Sequence, residues 1–168
     1  AIASGRSANS DFISAAGFIP DAFALGEKRI TLSSIGIPET VRDLARSGLK
    51  FSLAISLNAT TDDSRRRLMP AARSLEETLA AALEFARARK TRVTLEYVVI
   101  EDLNDTIEDA RRLAGLTAGK PFKINLIPFN EWEGCPFRRP SEERLESFIA
   151  ALLPRAPAVT VRRSQGGD

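Results

Sequence analysis

Hydrophobic and polar residues alternate one by one in several short stretches of the chain. In "FSLAISLN" (51–58), Phe51, Leu53, Ile55 and Leu57 are large and apolar, whereas Ser52, Ala54, Ser56 and Asn58 are small or polar. Successive strand residues point to opposite faces, so a period of two predicts a strand with one apolar and one polar face. The same pattern marks "RITLS" (29–33), "RVTLEYVVI" (92–100) and "FKINLIPF" (122–129), and "AVTVRR" (158–163) reads as a fifth strand.

Helical signals fill the gaps. "PETVRDLARSG" (38–48) has Pro38 at the first helical position and Gly48 just past the end. Ser74 and Glu77 form a capping box for a helix reaching about Lys90, with Leu75, Leu79, Ala82, Leu83 and Ala86 on one side. Asp105 and Glu108 are expected to cap a helix to about Leu116, with Ile107, Leu113 and Leu116 facing inward. Ser141 opens a last helix carrying Leu145, Phe148, Ile149, Leu152 and Leu153.

Repeated strand–helix–strand order predicts mostly parallel strands joined by right-handed crossovers. A doubly wound sheet is covered by helices on both faces, and its strands are apolar throughout. Here Ser33, Ser56, Glu96 and Asn125 recur on one side of their strands. A barrel wall accommodates that pattern, because its apolar face meets helices and its inner face lines a polar hollow. The competing arrangement is an antiparallel sheet with one face in water, and connections too long for hairpins count against it. The predicted class is therefore α/β, a partial (β/α) barrel. A full eight-unit barrel takes about 250 residues, and this chain has 168.

A hydrophobic fraction of 43% with 27% charged residues argues against a disordered chain. No apolar run approaches the roughly 20 residues of a membrane span, and residues 1–20 lack the basic start and apolar block of a signal peptide. A net charge of +2 does not by itself indicate a nucleic-acid binder. With no His there is no Ser-His-Asp triad and no imidazole metal site. One Cys precludes an internal disulfide, cannot ligate an iron–sulfur cluster alone, and suits a reducing, cytoplasmic setting.

In α/β barrels ligands bind where the strands end. Those ends are "SSIG" (33–36), "SLNATTDD" (56–63), "EDLND" (101–105) and "PFNEWEG" (128–134). Ser33, Ser56, Asn58 and Asn130 are the candidates for a polar ligand, although the same residue types serve turns and caps. Glu96 and Lys123, mid-strand on the polar face, either pair with each other or meet a ligand. Cys135 has no His or Lys nearby in sequence to activate it and reads as a passive thiol. "SRRRLMPAAR" (64–73) either grips phosphate or is solvated surface balanced by Asp62 and Asp63. Trp132 and Phe137 either stack on a base or anchor their loop.

The ordered motifs "RITLSSIGIP", "LAISLNATTDDSRRRLMP", "VTLEYVVIEDLND", "KINLIPFNEWEGCPFRRP" and "VTVRRSQGGD" resemble one family. It is the radical S-adenosylmethionine RNA methyltransferases that methylate C2 of adenine in 23S ribosomal RNA and transfer RNA, the RlmN/Cfr family. The resemblance runs from about Asp21 to Asp168. It implies a radical-SAM partial barrel without its N-terminal strands, with 1–20 an irregular, non-matching segment and 21–168 the C-terminal part of the barrel domain. It also implies that Ser33, Ser56, Leu57, Asn58 and Asn130 contact S-adenosyl-L-methionine. For the full-length family it implies a [4Fe-4S] cluster, ribosomal and transfer RNA as partners, no membrane, and a monomer.

The family's C-x-x-x-C-x-x-C motif and its G-E-P-type loop precede the matched region, and its methyl-carrying Cys follows it. No catalytic or metal-ligating residue is therefore expected here, and the resemblance implies a fragment that is inactive alone. Two other readings stay open: a non-catalytic RNA- or nucleotide-binding module, and an unrelated barrel lyase or isomerase working through Lys123 and Glu96.

Overall fold

A computed structural model describes residues 30–162. The expectation for residues 1–20 lies outside the described residues. Five strands, β1 (Thr31–Ser34), β2 (Ser52–Ser56), β3 (Val93–Val99), β4 (Phe122–Pro128) and β5 (Ala158–Val161), form one sheet in the order β1-β2-β3-β4-β5. Every neighbouring pair is parallel. The helices are α1 (Pro38–Arg46), α2 (Asp62–Leu68), α3 (Leu75–Arg89), α4 (Ile107–Thr117) and α5 (Glu142–Leu152). Spatial order equals chain order, so right-handed crossovers place the connecting helices on one side of the sheet. That is the wall of a barrel.

Burial follows the period of two. Val93, Leu95, Tyr97 and Val99 of β3 are completely buried, while Thr94, Glu96 and Val98 between them are partly open. In β4, Phe122, Ile124 and Leu126 are buried and Lys123, Asn125 and Ile127 are partly open. The buried set packs on Phe85 of α3, Leu113 of α4 and Phe148 of α5, whose ring stacks 5.7 Å from that of Tyr97. Each such side chain contributes roughly 2 kcal/mol by leaving water.

The capping box is present: Ser74 Oγ accepts from the Glu77 amide at 3.2 Å and donates to its carboxylate at 2.8 Å. Two expectations for α4 need correcting. Its cap is Thr106, whose hydroxyl accepts from the Asp109 amide at 3.1 Å, because Asp105 is drawn away to Arg144. Ile107 is 45% exposed rather than inward. The buried stripe of α4 is Ala110, Leu113, Ala114 and Thr117, and Ile107 sits about a quarter-turn off it. The α2 helix was not expected. Seven residues with no apolar stripe make it, begun by Thr61, whose hydroxyl accepts from the Ser64 amide.

Candidate ligand-binding face

Register sets which side chains share the uncovered face. Ser33 pairs with Ala54, Ala54 with Thr94, and Thr94 with Lys123. One step along the strands, Ser56 pairs with Glu96, Glu96 with Asn125, and Asn125 with Thr160. The Thr160 hydroxyl donates to Asn125 Oδ1 at 3.1 Å. Two rows therefore cross the sheet on the side away from the helices: the first is polar at Ser33, Thr94 and Lys123 but interrupted by the buried Ala54, and the second is polar from Ser56 to Thr160. Glu96 and Lys123 form no ion pair, since register sets them diagonally; among the described residues neither has a hydrogen-bonding or charged side-chain partner. An unpaired carboxylate and ammonium on a half-open face suit a polar, zwitterionic ligand.

The strand ends above this face are fastened by buried polar groups. Gly36, at φ +79°, turns the chain after β1, and a Cβ there would lie 2.6 Å from Thr78 Cγ2 and 2.8 Å from Ile55 Cγ2. Only glycine combines that backbone with that approach. Arg65, only 1% exposed, reaches back from α2. Its guanidinium donates to the carbonyls of Ile35 (2.7 Å), Leu57 (2.6 Å), Ser56 (3.2 Å) and Arg73 (3.2 Å). Burial lowers its pKa, partly opposed by Asp62. The residue sits inside the fold, so it cannot belong to a surface phosphate grip, and Arg66 is paired with Asp63.

Asn58 adopts φ 55° and caps β3: its Oδ1 accepts from the Val98 amide at 2.9 Å. Its own carbonyl accepts from Asn104 Nδ2 at 2.8 Å. Asn104, 1% exposed, also donates to the Val98 carbonyl and accepts from the Ile100 amide, while Tyr97 donates its hydroxyl to the Asn104 carbonyl. Nearby, the buried Asp109 carboxylate accepts from Thr60 (2.5 Å), Thr106 (2.6 Å) and Arg112 (2.8 Å). Burial pushes Asp109 upward, but these hydrogen bonds outweigh it and hold the carboxyl below its ordinary value. Arg144 of α5 clasps Asp105 with two bonds of 2.6 and 2.7 Å.

The expected site residues are placed unequally. Ser33 and Ser56 lie on the same uncovered face, Ser33 exposed and Ser56 half-buried. Asn58 is half-buried at the end of β2, its amide oxygen already engaged. Asn130 is exposed in the loop after β4. Leu57 turns its side chain into the core, and both its amide and its carbonyl are occupied. Cys135 Sγ accepts from the Phe137 amide at 3.4 Å, in keeping with a passive thiol. Phe129 gathers Trp132 and Phe137 at 5.3 and 6.0 Å, leaving Trp132 62% exposed. Sequence reasoning missed Arg65 and Asn104 as organisers: one looked like surface charge, the other like a turn residue.

No protein-family model matches the chain. Among curated proteins it is 44% identical over 146 residues to the dual-specificity RNA methyltransferase RlmN of Pelobacter propionicus, covering 86% of this chain and 42% of that protein. It is 45% identical over 152 residues to the probable dual-specificity RNA methyltransferase RlmN of Symbiobacterium thermophilum, covering 89% and 41%. Among solved structures, a radical SAM methyltransferase from Sphaerobacter thermophilus superposes with a TM-score of 0.81 at 39% identity, over 85% of this chain and 42% of that one. The chain is a relative of the RlmN methyltransferases.

It spans about two-fifths of the length of the RlmN proteins it matches. A domain of pyruvate-formate lyase-activating enzyme from Bacteroides vulgatus shares the fold alone, with a TM-score of 0.66 at 19% identity over 95% of this chain. The RlmN kinship implies S-adenosylmethionine and a [4Fe-4S] cluster, and the two fit differently. The polar rows suit the hydroxyls, amine and carboxylate of the first. For the cluster there is no fit: no group of three His, Cys, Asp or Glu among the described residues could hold a metal, and the sequence has one thiol.

Proposed function

We propose that this chain supplies the S-adenosylmethionine-holding wall and part of the RNA surface of an RlmN-type methyltransferase. The reaction of that enzyme would be methylation of adenine C2 in ribosomal and transfer RNA. The identity of 44–45% to RlmN proteins carries the reading, and the polar face supports it. Bound S-adenosylmethionine would supply the transferred carbon. Ser33 and Ser56 would offer hydroxyls to its polar groups, and Asn58 would offer the amide hydrogen that is not directed at Met69 Sδ, 3.7 Å away. Asn130 would approach from the loop after β4, and Leu57 would serve by positioning its neighbours. Glu96 and Lys123 would complement the ligand's ammonium and carboxylate. No step is assigned to the cluster in these residues. The unpaired Cys135 suits a reducing, cytoplasmic setting, and among the described residues no helix is long and apolar enough to cross a membrane.

Titration of 15N-labelled chain with S-adenosylhomocysteine, which keeps the adenosyl and amino-acid ends, tests the site. Amide shifts are expected at Ser33, Ser56–Asn58 and Asn130, with Ser33→Ala and Ser56→Ala each weakening binding about fivefold, as one lost hydrogen bond implies. No shifts, or shifts confined to the outer groove between α3 and α4 at Leu83 and Leu116, would refute the assignment.

A further inference from the structure

Because all five strands are parallel, they begin along one edge of the sheet, opposite the edge where the candidate ligand site lies. The segments leading into β2, β3, β4 and β5 are "RSGLKF" (46–51), "RARKTR" (87–92), "AGKP" (118–121) and "LPRAP" (153–157). They contain Arg and Lys and not one Asp or Glu. At the opposite edge acids such as Asp62, Glu101 and Glu131 are interleaved with Arg66, Arg67 and Arg139. A chain of net charge +2 thus gathers cations without acids in these four segments and mixes the two signs at the other edge.

Cations at helix C-termini often only offset the helix dipole, and three of these do local work. Lys120 Nζ donates to the Leu116 carbonyl at 2.7 Å. Arg89 donates to the Leu49 carbonyl and lies 5.8 Å over the Phe51 ring. Arg46 pairs with Asp43 at 3.5 Å. Arg87, Lys90, Arg92 and Arg155 do none of this: all four are exposed, and none has an ion-pair partner among the described residues. Like charges gathered without acids repel one another and attract a polyanion.

We propose that this strand-start edge is a second RNA surface, binding the phosphate backbone through Lys90, Arg92 and Arg155 on the side away from the ligand site. The choice of RNA rests on the proposed function. Strands β3 to β5 span about 10 Å at the usual strand spacing, a width over which a nucleic-acid strand presents several phosphates. A membrane surface fits less well, because insertion needs an apolar face and Leu153 is the one large exposed hydrophobic residue in these segments.

Fluorescence anisotropy with a labelled RNA hairpin tests it across a salt series, using the whole chain, a Lys90→Glu/Arg92→Glu/Arg155→Glu variant, and an Arg66→Glu/Arg67→Glu variant at the opposite edge. The triple variant is expected to bind at least tenfold more weakly, with a salt slope shallower by about two, as loss of roughly three phosphate contacts implies. The double variant is expected to lose less. Circular dichroism checks that each variant is folded. Equal binding by the triple variant and the unsubstituted chain would overturn the edge and leave the RNA reading standing. Absence of salt-sensitive RNA binding, or preference for phosphatidylserine vesicles over RNA, would also overturn it. Charge-dependent RNA binding without any response to S-adenosylhomocysteine would instead strike the cofactor reading and keep the edge.

Discussion

The two faces of β3 are one backbone with opposite fates. On the helix side Val93, Leu95, Tyr97 and Val99 are sealed from water; on the other, Thr94, Glu96 and Val98 remain partly open. The hydrogen-bond ladders to β2 and β4 are shared, so backbone pairing does not distinguish the faces. Packing does. Stability resides on the helix side, where dispersion and apolar burial act, while the open side is free to carry groups chosen for what they can hold.

Substitutions should separate the two. Leu95→Ala is expected to cost about 3 kcal/mol in urea unfolding, from lost burial and the cavity left behind; a cost below 1 kcal/mol would mean that the helices do not seal that face. Gly36→Ala should destabilise by about 2 kcal/mol, because it adds a methyl against the branched Thr78 and Ile55 at a left-handed turn. A variant melting with the parent would show that α3 does not press on that turn.

Acid should act through the strand ends rather than through either face. Asp109 is held below its ordinary 3.8 by Thr106, Thr60 and Arg112 despite its burial. A carboxyl depressed in the folded state contributes its stability above the unfolded value and loses it as pH falls through the folded one. Unfolding free energy should therefore drop below about pH 4, and Asp109→Asn should flatten that limb; an unchanged acid slope would exclude Asp109 as its source. The smallest effect belongs to the open face: Thr94→Ala should shift stability by less than about 0.5 kcal/mol. A larger loss by thermal melting would mean that something covers Thr94.

What could be read from the letters was whatever depends on near neighbours. The alternation in "VTLEYVV" names the buried face of β3, and Ser74 with Glu77 names the start of α3, because both signals are local. The failures involve distant partners. Asp105 has the chemistry of a cap, but Arg144, far along the chain, recruits it, and Thr106 caps in its place. Arg65 stands among charged residues yet is buried, because the carbonyls of Ile35, Ser56 and Leu57 converge on it only after β1 and β2 pair. For the site, Ser33 and Ser56 were recognisable as sharing a side from parity alone. The engagement of Asn58 with Val98 and Asn104 was not, since it requires knowing that β2 lies beside β3.

The sheet order has a mechanical corollary. Since, among the described residues, each strand is hydrogen-bonded only to the strands numbered next to it, the wall is assembled like a row of staves, each laid beside the last with no threading. A stave set against the outer side of β1 or of β5 would widen the curve without re-routing any connection already made. An architecture of this kind can be lengthened or shortened at its margins while the middle staves, β2 to β4, keep both their neighbours.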